Sequence, residues 1–242
     1  MGLFDGLFEK KYCLICGKEL GVFGKTKISE GHICKECSGK LSPYFHGYRS
    51  ATADDIKAQL AYREENKAAV AAFNITRTLG ADTKVYLDED NGKVIITRTS
   101  PSNWASYNPD VFDFSQITGC ESEMDETKTE IKRELPDGKK ESYNPPRYDI
   151  DYDFYVTVFL SHPYASEIKF KTNPSRIEKF NSPEYRSAQT ACNQIKDALR
   201  GIHSEQRAAA TPKQPVSCPY CGATTTPDSN GCCEYCGRQL SE

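Results

Sequence analysis

The chain has 242 residues, 38% hydrophobic and 27% charged, with a mean hydropathy of -0.64. That balance describes a water-soluble polypeptide, and the lack of any run of about 18 apolar residues excludes a membrane-spanning helix. A net charge of -3, from Lys+Arg 31 against Asp+Glu 34, argues against a general nucleic-acid binder, because attraction to phosphates needs a positive surplus.

The first ten residues have neither the basic start nor the apolar core of a secretory signal, which predicts a cytoplasmic chain with reduced thiols. Met1, Leu3, Phe4, Leu7 and Phe8 form one apolar face ahead of Lys10 and Lys11, a short amphipathic start that offers only marginal membrane-surface binding. Gly6 stands where a myristoylation pattern needs Ser or Thr.

Eleven cysteines dominate the composition. The pair Cys13-Leu-Ile-Cys16 is followed, after seventeen residues, by Cys34-Lys-Glu-Cys37. Two CxxC pairs on a hairpin-sized spacer bring four thiolates onto one tetrahedron, the geometry of zinc with Zn–S near ~2.3 Å. Glycine follows the second cysteine in three of the four such pairs of the chain, at Gly17, Gly222 and Gly237, where a turn around a metal needs φ > 0. Four sulfurs leave no open position, so the ion is structural rather than catalytic. His32 is not needed as a ligand and reads as an exposed loop histidine.

Residues 51–73 predict a helix capped at Thr52-Ala-Asp-Asp. Its apolar positions Ile56, Leu60, Val70 and Phe73 leave a gap at the centre, which predicts a linking helix only partly packed. The period then changes to that of strands. Val85-Tyr-Leu and Val94-Ile-Ile flank a turn at Asn91-Gly92, Phe112 to Ile117 continues the strand chemistry, and Ile131 to Leu135 leads to a second turn at Pro136-Asp-Gly138. From Tyr148 to Leu160 the even-numbered positions are apolar without a break, which predicts one buried face. The other face carries Asp149, Asp151 and Asp153. A calcium loop fails there, since Leu160 stands where the twelfth-position Glu belongs, and a solvated face is expected. After a returning strand at Ile168-Lys-Phe170, a final helix capped by Ser182 carries Tyr185, Ala188, Cys192, Ile195, Leu199 and Ile202 on one stripe. Cys120 and Cys192 read as small buried apolar residues.

Residues 204–217 lack any period and read as a flexible linker. The tail, residues 218–242, repeats the zinc pattern: Cys218-Pro-Tyr-Cys221, eleven residues, then Cys233-Glu-Tyr-Cys236. Cys232 stands beside Cys233, but Cys233 keeps the CxxC spacing and is read as the ligand. The organisation is therefore a four-cysteine module (1–50), a linking helix (51–73), a body (74–203), a linker and a second zinc module.

The segment from Tyr12-Cys-Leu-Ile-Cys-Gly to His32-Ile-Cys-Lys-Glu-Cys37 resembles an N-terminal four-cysteine domain found in many bacterial proteins without an assigned activity. The tail is similar to the short zinc ribbons that bacteria append to unrelated proteins. Several antiparallel strands followed by one helix resemble the pleckstrin-homology-like (PH-like) superfold, which implies an α+β chain whose antiparallel β-barrel is capped by the C-terminal helix and flanked by two zinc ribbons.

The four histidines (32, 46, 162 and 203) are scattered, and neither a Gly-rich phosphate loop nor a serine elbow appears. The expectation is a non-enzymatic scaffold with two structural Zn²⁺ ions and a protein partner. Two zinc tetrathiolates would lower the net charge by a further four, against nucleic acid. Lys18, Lys25, Lys27, Lys35 and Lys40 nevertheless make nucleic-acid binding by the first module an alternative, and the apolar start makes a peripheral membrane adaptor another. Gly80-Ala-Asp-Thr83 lacks the basic cluster that phosphoinositide headgroups require. A thiol-redox enzyme, the last rival, predicts free titratable thiols.

Overall fold

The computed structural model describes residues 11–21, 23–210, 215–228 and 231–240. The amphipathic start at Met1 to Phe8 lies outside the described residues. The chain divides into two compact units, Met1–His203 and Ser204–Glu242.

The first unit begins with two short ladders. Strand β1 (Lys11–Tyr12) pairs with β2 (Glu19–Leu20) across the first cysteine pair, and β3 (Lys25–Ile28) pairs with β4 (Gly31–Cys34). His32 lies in β4, half-buried, rather than in a loop. Strand β4 runs directly into the one-turn helix α1 (Lys35–Ser38). A 3-10 turn at His46–Arg49 then leads to α2 (Ala53–Ala72). Its start is the capping box expected at Thr52: Asp55 N–H donates to Thr52 Oγ1 at 3.1 Å, and Thr52 N–H donates to Asp55 Oδ2 at 2.9 Å. Glu30 reaches the same end, accepting from Ala53 N–H at 2.8 Å, so the β3–β4 turn is pinned to the helix.

Seven strands and a helix follow. β5 (Arg77–Leu79), β6 (Lys84–Asp88), β7 (Lys93–Thr97) and β8 (Val111–Asp113) form a four-stranded antiparallel sheet in sequence order. β9 (Ile117–Glu134), β10 (Lys140–His162) and β11 (Ala165–Lys171) form a second sheet with β10 in the centre. The helical turn α3 (Trp104–Tyr107) sits between β7 and β8, and α4 (Pro183–Ala210) closes the series. One core joins both sheets to α4: Val85, Leu87, Val94, Ile96 and Phe112 from the first, Phe154, Val156, Val158 and Ile168 from the second, and Tyr185, Ala188, Cys192, Ile195 and Leu199 from the helix stripe. The opposite face of the four-stranded sheet is also covered, Tyr86 and Ile95 packing on Val70 and Trp104. The unbroken apolar runs of β6 and β7 reflect that two-sided burial.

Three expectations need correction. Both sheets are open, and the described residues form no closed barrel: β8 passes through a 3-10 turn at Phe114–Gln116 into β9, so the sheets meet at a corner instead of a ladder. The buried stripe of β10 runs only from Tyr152 to Leu160, while Tyr148 is 52% exposed. The part of β10 that precedes Tyr152 belongs to a two-stranded arm, whose β9–β10 register continues out to Glu134↔Lys140 with Tyr143 to Pro146 bulging from it. Finally, the aspartate face is not fully solvated. Asp151 is buried and held by Arg176, whose Nε donates at 2.8 Å, and Asp153 accepts from Asn173 Nδ2 at 3.1 Å and pairs with Lys171.

In the second unit, α4 extends through Ala210, into the stretch read as linker. β12 (Val216–Ser217) then pairs with β13 (Thr224–Thr225) around Cys218 to Cys221.

Candidate metal centres

Three of the four cysteine pairs share one backbone turn. In the first, Cys13 N–H donates to Lys18 O at 2.8 Å and Gly17 N–H to Cys13 O at 2.9 Å. The tail repeats it twice, with Cys218 N–H to Ala223 O and Gly222 N–H to Cys218 O, then Cys233 N–H to Arg238 O and Gly237 N–H to Cys233 O, all between 2.8 and 2.9 Å. The three glycines have φ of 72°, 73° and 68°, the left-handed region that their missing Cβ permits. The fourth pair is different. Cys34 is the N-cap of α1, its Sγ accepting from Cys37 N–H at 3.4 Å, and Gly39 after it has an ordinary φ of -69°. A helical turn replaces the glycine turn, which explains why no glycine directly follows Cys37.

These turns bring two groups of four sulfurs together: Cys13, Cys16, Cys34 and Cys37, and Cys218, Cys221, Cys233 and Cys236. Within each group the Sγ atoms all lie within 4.8 Å of one another. Cys13 and Cys37 are 3.8 Å apart and Cys16 and Cys34 3.7 Å; Cys218 and Cys236 are 3.6 Å apart and Cys221 and Cys233 3.7 Å. A regular tetrahedron with Zn–S of ~2.3 Å has edges of ~3.8 Å, whereas a disulfide needs ~2.05 Å. The spacing fits a tetrahedral site that could hold one metal ion. Cys233 belongs to the tail group and Cys232 does not; the latter instead directs its N–H to Asp228 Oδ1 at 2.7 Å. Cys120 and Cys192 are buried in the main core, and Cys192 Sγ donates to Tyr155 O at 3.2 Å. His32 is outside both groups.

The electrostatics within each group also call for a cation. Burial opposes charge on Cys13, but the N–H groups of Cys16, Cys34 and Ile15 outweigh it and lower the thiol to about 6. Burial and the adjoining sulfurs drive Cys37 well above its usual value. In the tail, desolvation opposes charge on Cys218, yet the N–H groups of Cys221 and Tyr220 lower it to about 7. Cys221 is favoured by Ala223 N–H but raised to about 12 by desolvation and by its hydrogen bonds to Cys218, Cys233 and Cys236. One thiolate forms readily in each group and makes the next one costly. A divalent ion removes that conflict, and four sulfurs fill its coordination shell.

The surroundings of the two groups differ. Cys13, Cys34 and Cys37 pack into an apolar cluster with Ile28, Ile33, Ala51 and Ile56. In the tail, Cys218, Thr225 and Cys233 are the buried side chains among the described residues, and none is aliphatic or aromatic.

The first group is also fastened to the body, through residues that apolar patterning passes over. The central gap of α2 is filled by buried polar side chains, so the linking helix is packed along its length: Ile56, Gln59, Arg63, Asn66 and Val70 follow steps of three, four, three and four. Arg63 Nη1 donates to Asp110 Oδ1 at 2.6 Å, with the two side chains 9% and 1% exposed. Ser42, just past the last cysteine of the module, donates from Oγ to Asp110 Oδ2 at 2.8 Å. Asn66 Nδ2 donates to Asn108 Oδ1 at 2.7 Å, and its Oδ1 accepts from Val111 N–H at 2.9 Å. Aromatic rings continue the joint, Phe45 against Tyr164 and Tyr62 against His162 and Tyr164. The detectable signal is the helical period itself, carried through polar residues.

No curated protein and no solved structure matches this chain. Residues 11–59, spanning the first sulfur group and the start of α2, match the family described as Domain of unknown function (DUF4428).

Proposed function

We propose that the protein is a non-enzymatic scaffold in which two Zn²⁺ ions, held by Cys13, Cys16, Cys34 and Cys37 and by Cys218, Cys221, Cys233 and Cys236, fix two modules used to bind a protein partner. The observation that carries this reading is the pair of four-sulfur groups at tetrahedral spacing. An ion so enclosed has no position for water or substrate, so its work is to hold the fold. The body supports an interaction role too. Seven antiparallel strands followed by one helix is the element order of the PH-like superfold, although the sheets here stay open.

Elemental analysis of untreated protein should give two zinc ions per chain. Capture from lysate, compared between the unaltered chain and Cys16→Ser or Cys221→Ser variants, should lose specific protein partners with the affected module. Fewer than one zinc per chain with oxidised cysteine pairs defeats the zinc assignment. Two zinc ions with identical capture by all three forms defeats the scaffold role. The nucleic-acid alternative rests on Lys18, Lys25, Lys27, Lys35 and Lys40, of which Lys18 is paired with Glu36 at 2.7 Å; a mobility shift at low salt that disappears at high salt would favour it.

A further inference from the structure

We propose that the outer edge of the β9–β10 arm joins two copies of this chain, β9 lying antiparallel to β9 about a two-fold axis at Thr129. Among the described residues β9 pairs only with β10, and it is an edge strand of its sheet. The start of that edge is guarded by α4, whose Arg200 donates from Nε to Cys120 O at 2.8 Å. From Met124 outward neither a third strand nor a helix among the described residues covers it, and Met124 to Thr129 are all exposed. A two-stranded ribbon of this kind is marginal alone in water, and its open N–H and C=O groups are a template for another strand.

Charges on an edge usually prevent such pairing, so the order of the signs decides. Within the chain Lys128 pairs with Glu126 at 2.9 Å, Lys132 with Glu130 at 3.7 Å and Arg133 with Glu141 at 2.6 Å, all on the surface. In an antiparallel pair centred on Thr129 each gains a second acidic neighbour, Lys128 facing Glu130 of the second copy, Lys132 facing Glu126 and Arg133 facing Asp125. No like charges meet between Met124 and Glu134. Centring one residue earlier sets Lys128 on Lys128 and Glu126 on Glu130, while centring on Thr127 keeps only the Glu126–Lys128 pair beyond Met124. Facing residues in the Thr129 register have the same parity, so they share one face of the combined sheet. The edge is thus most complementary to itself in the Thr129 register, which sets more opposite charges against each other than one centred on Ile131, and the product is a continuous β10–β9–β9–β10 sheet.

This proposal does not depend on the zinc assignment, and metal content measured on the same full-length sample keeps the two questions apart. Sedimentation velocity across a concentration series should show a monomer–dimer equilibrium. In the dimer, Lys132→Glu sets a carboxylate against the carboxylate of Glu126, and Glu126→Lys sets an ammonium group against that of Lys132. Each variant alone should therefore weaken dimerisation by about tenfold or more. Mixing the two variants restores opposite charges across the axis and should restore the dimer. A monomer throughout the series, single variants that dimerise like the unaltered chain, or a mixture no tighter than its components each overturns the proposal.

Discussion

The two four-sulfur groups have nearly the same internal spacing and opposite surroundings. The first sits on an apolar cluster of Ile28, Ile33 and Ile56 and is bolted to the body through Ser42, Arg63 and Asp110. The tail group is surrounded by turns, with no buried aliphatic or aromatic side chain among its described residues. A bound ion would therefore be one contributor among several in the first module and nearly the whole of the fold in the second. A module of this size without an apolar interior would need a metal to fold at all.

The sharpest test removes the metal. Cys233→Ser should abolish the ordered structure of the tail, since zinc binding in small modules is worth about 10–16 kcal/mol; amide hydrogen exchange should rise to unprotected rates over residues 215–240 and stay unchanged over 53–72. Protection of the tail in that variant would show that it folds without a metal. Next in size, Arg63→Ala removes the guanidinium from the buried Asp110 carboxyl, which costs about 3–5 kcal/mol in a denaturant titration of the first unit, with no change in the tail. Ile33→Ala opens a cavity beside the first group at about 2–5 kcal/mol, and zinc retention against a chelator should fall at that site alone. Smallest, Gly222→Ala imposes a side chain at φ of 73° at about 1–2 kcal/mol. That strain should be visible as faster zinc loss from the tail.

Acid separates the two groups as well. The metal binds thiolates, so protons compete with it and affinity at both groups falls as pH falls. Without metal, Cys37 and Cys221 remain thiols at neutral pH, the latter raised to about 12. Zinc entry must then expel their protons, and calorimetry in buffers of different ionisation enthalpy at neutral pH should register proton release at both sites. On acidification the tail should unfold as its zinc leaves, while the apolar cluster of the first module persists.

Both sulfur groups were legible because metal geometry demands a fixed local spacing, and CxxC states it within four residues. The α4 stripe was legible because Tyr185 to Leu199 keep helical period with apolar side chains. That the two sheets stay open was not legible, since closure depends on whether edge strands distant in sequence meet, and no periodicity encodes that. The extent of the arm was hidden because alternation from Tyr148 to Leu160 says which side chains share a face but not where the covering core ends. Most instructive is α2. The gap in its apolar pattern predicts a helix only partly packed, yet Gln59, Arg63 and Asn66 fill that gap, held in the interior by Ser42 and by residues 108–111.

That polar joint has a consequence for how the first module can move. Greasy surfaces let two elements slide and settle again at neighbouring positions. A guanidinium seated on a carboxylate in a dry interior allows no such intermediate stop, because displacement of α2 by one turn, about 5.4 Å, would strand both charges. The attachment of this module is in effect quantised: fully docked in a single alignment, or released as a whole.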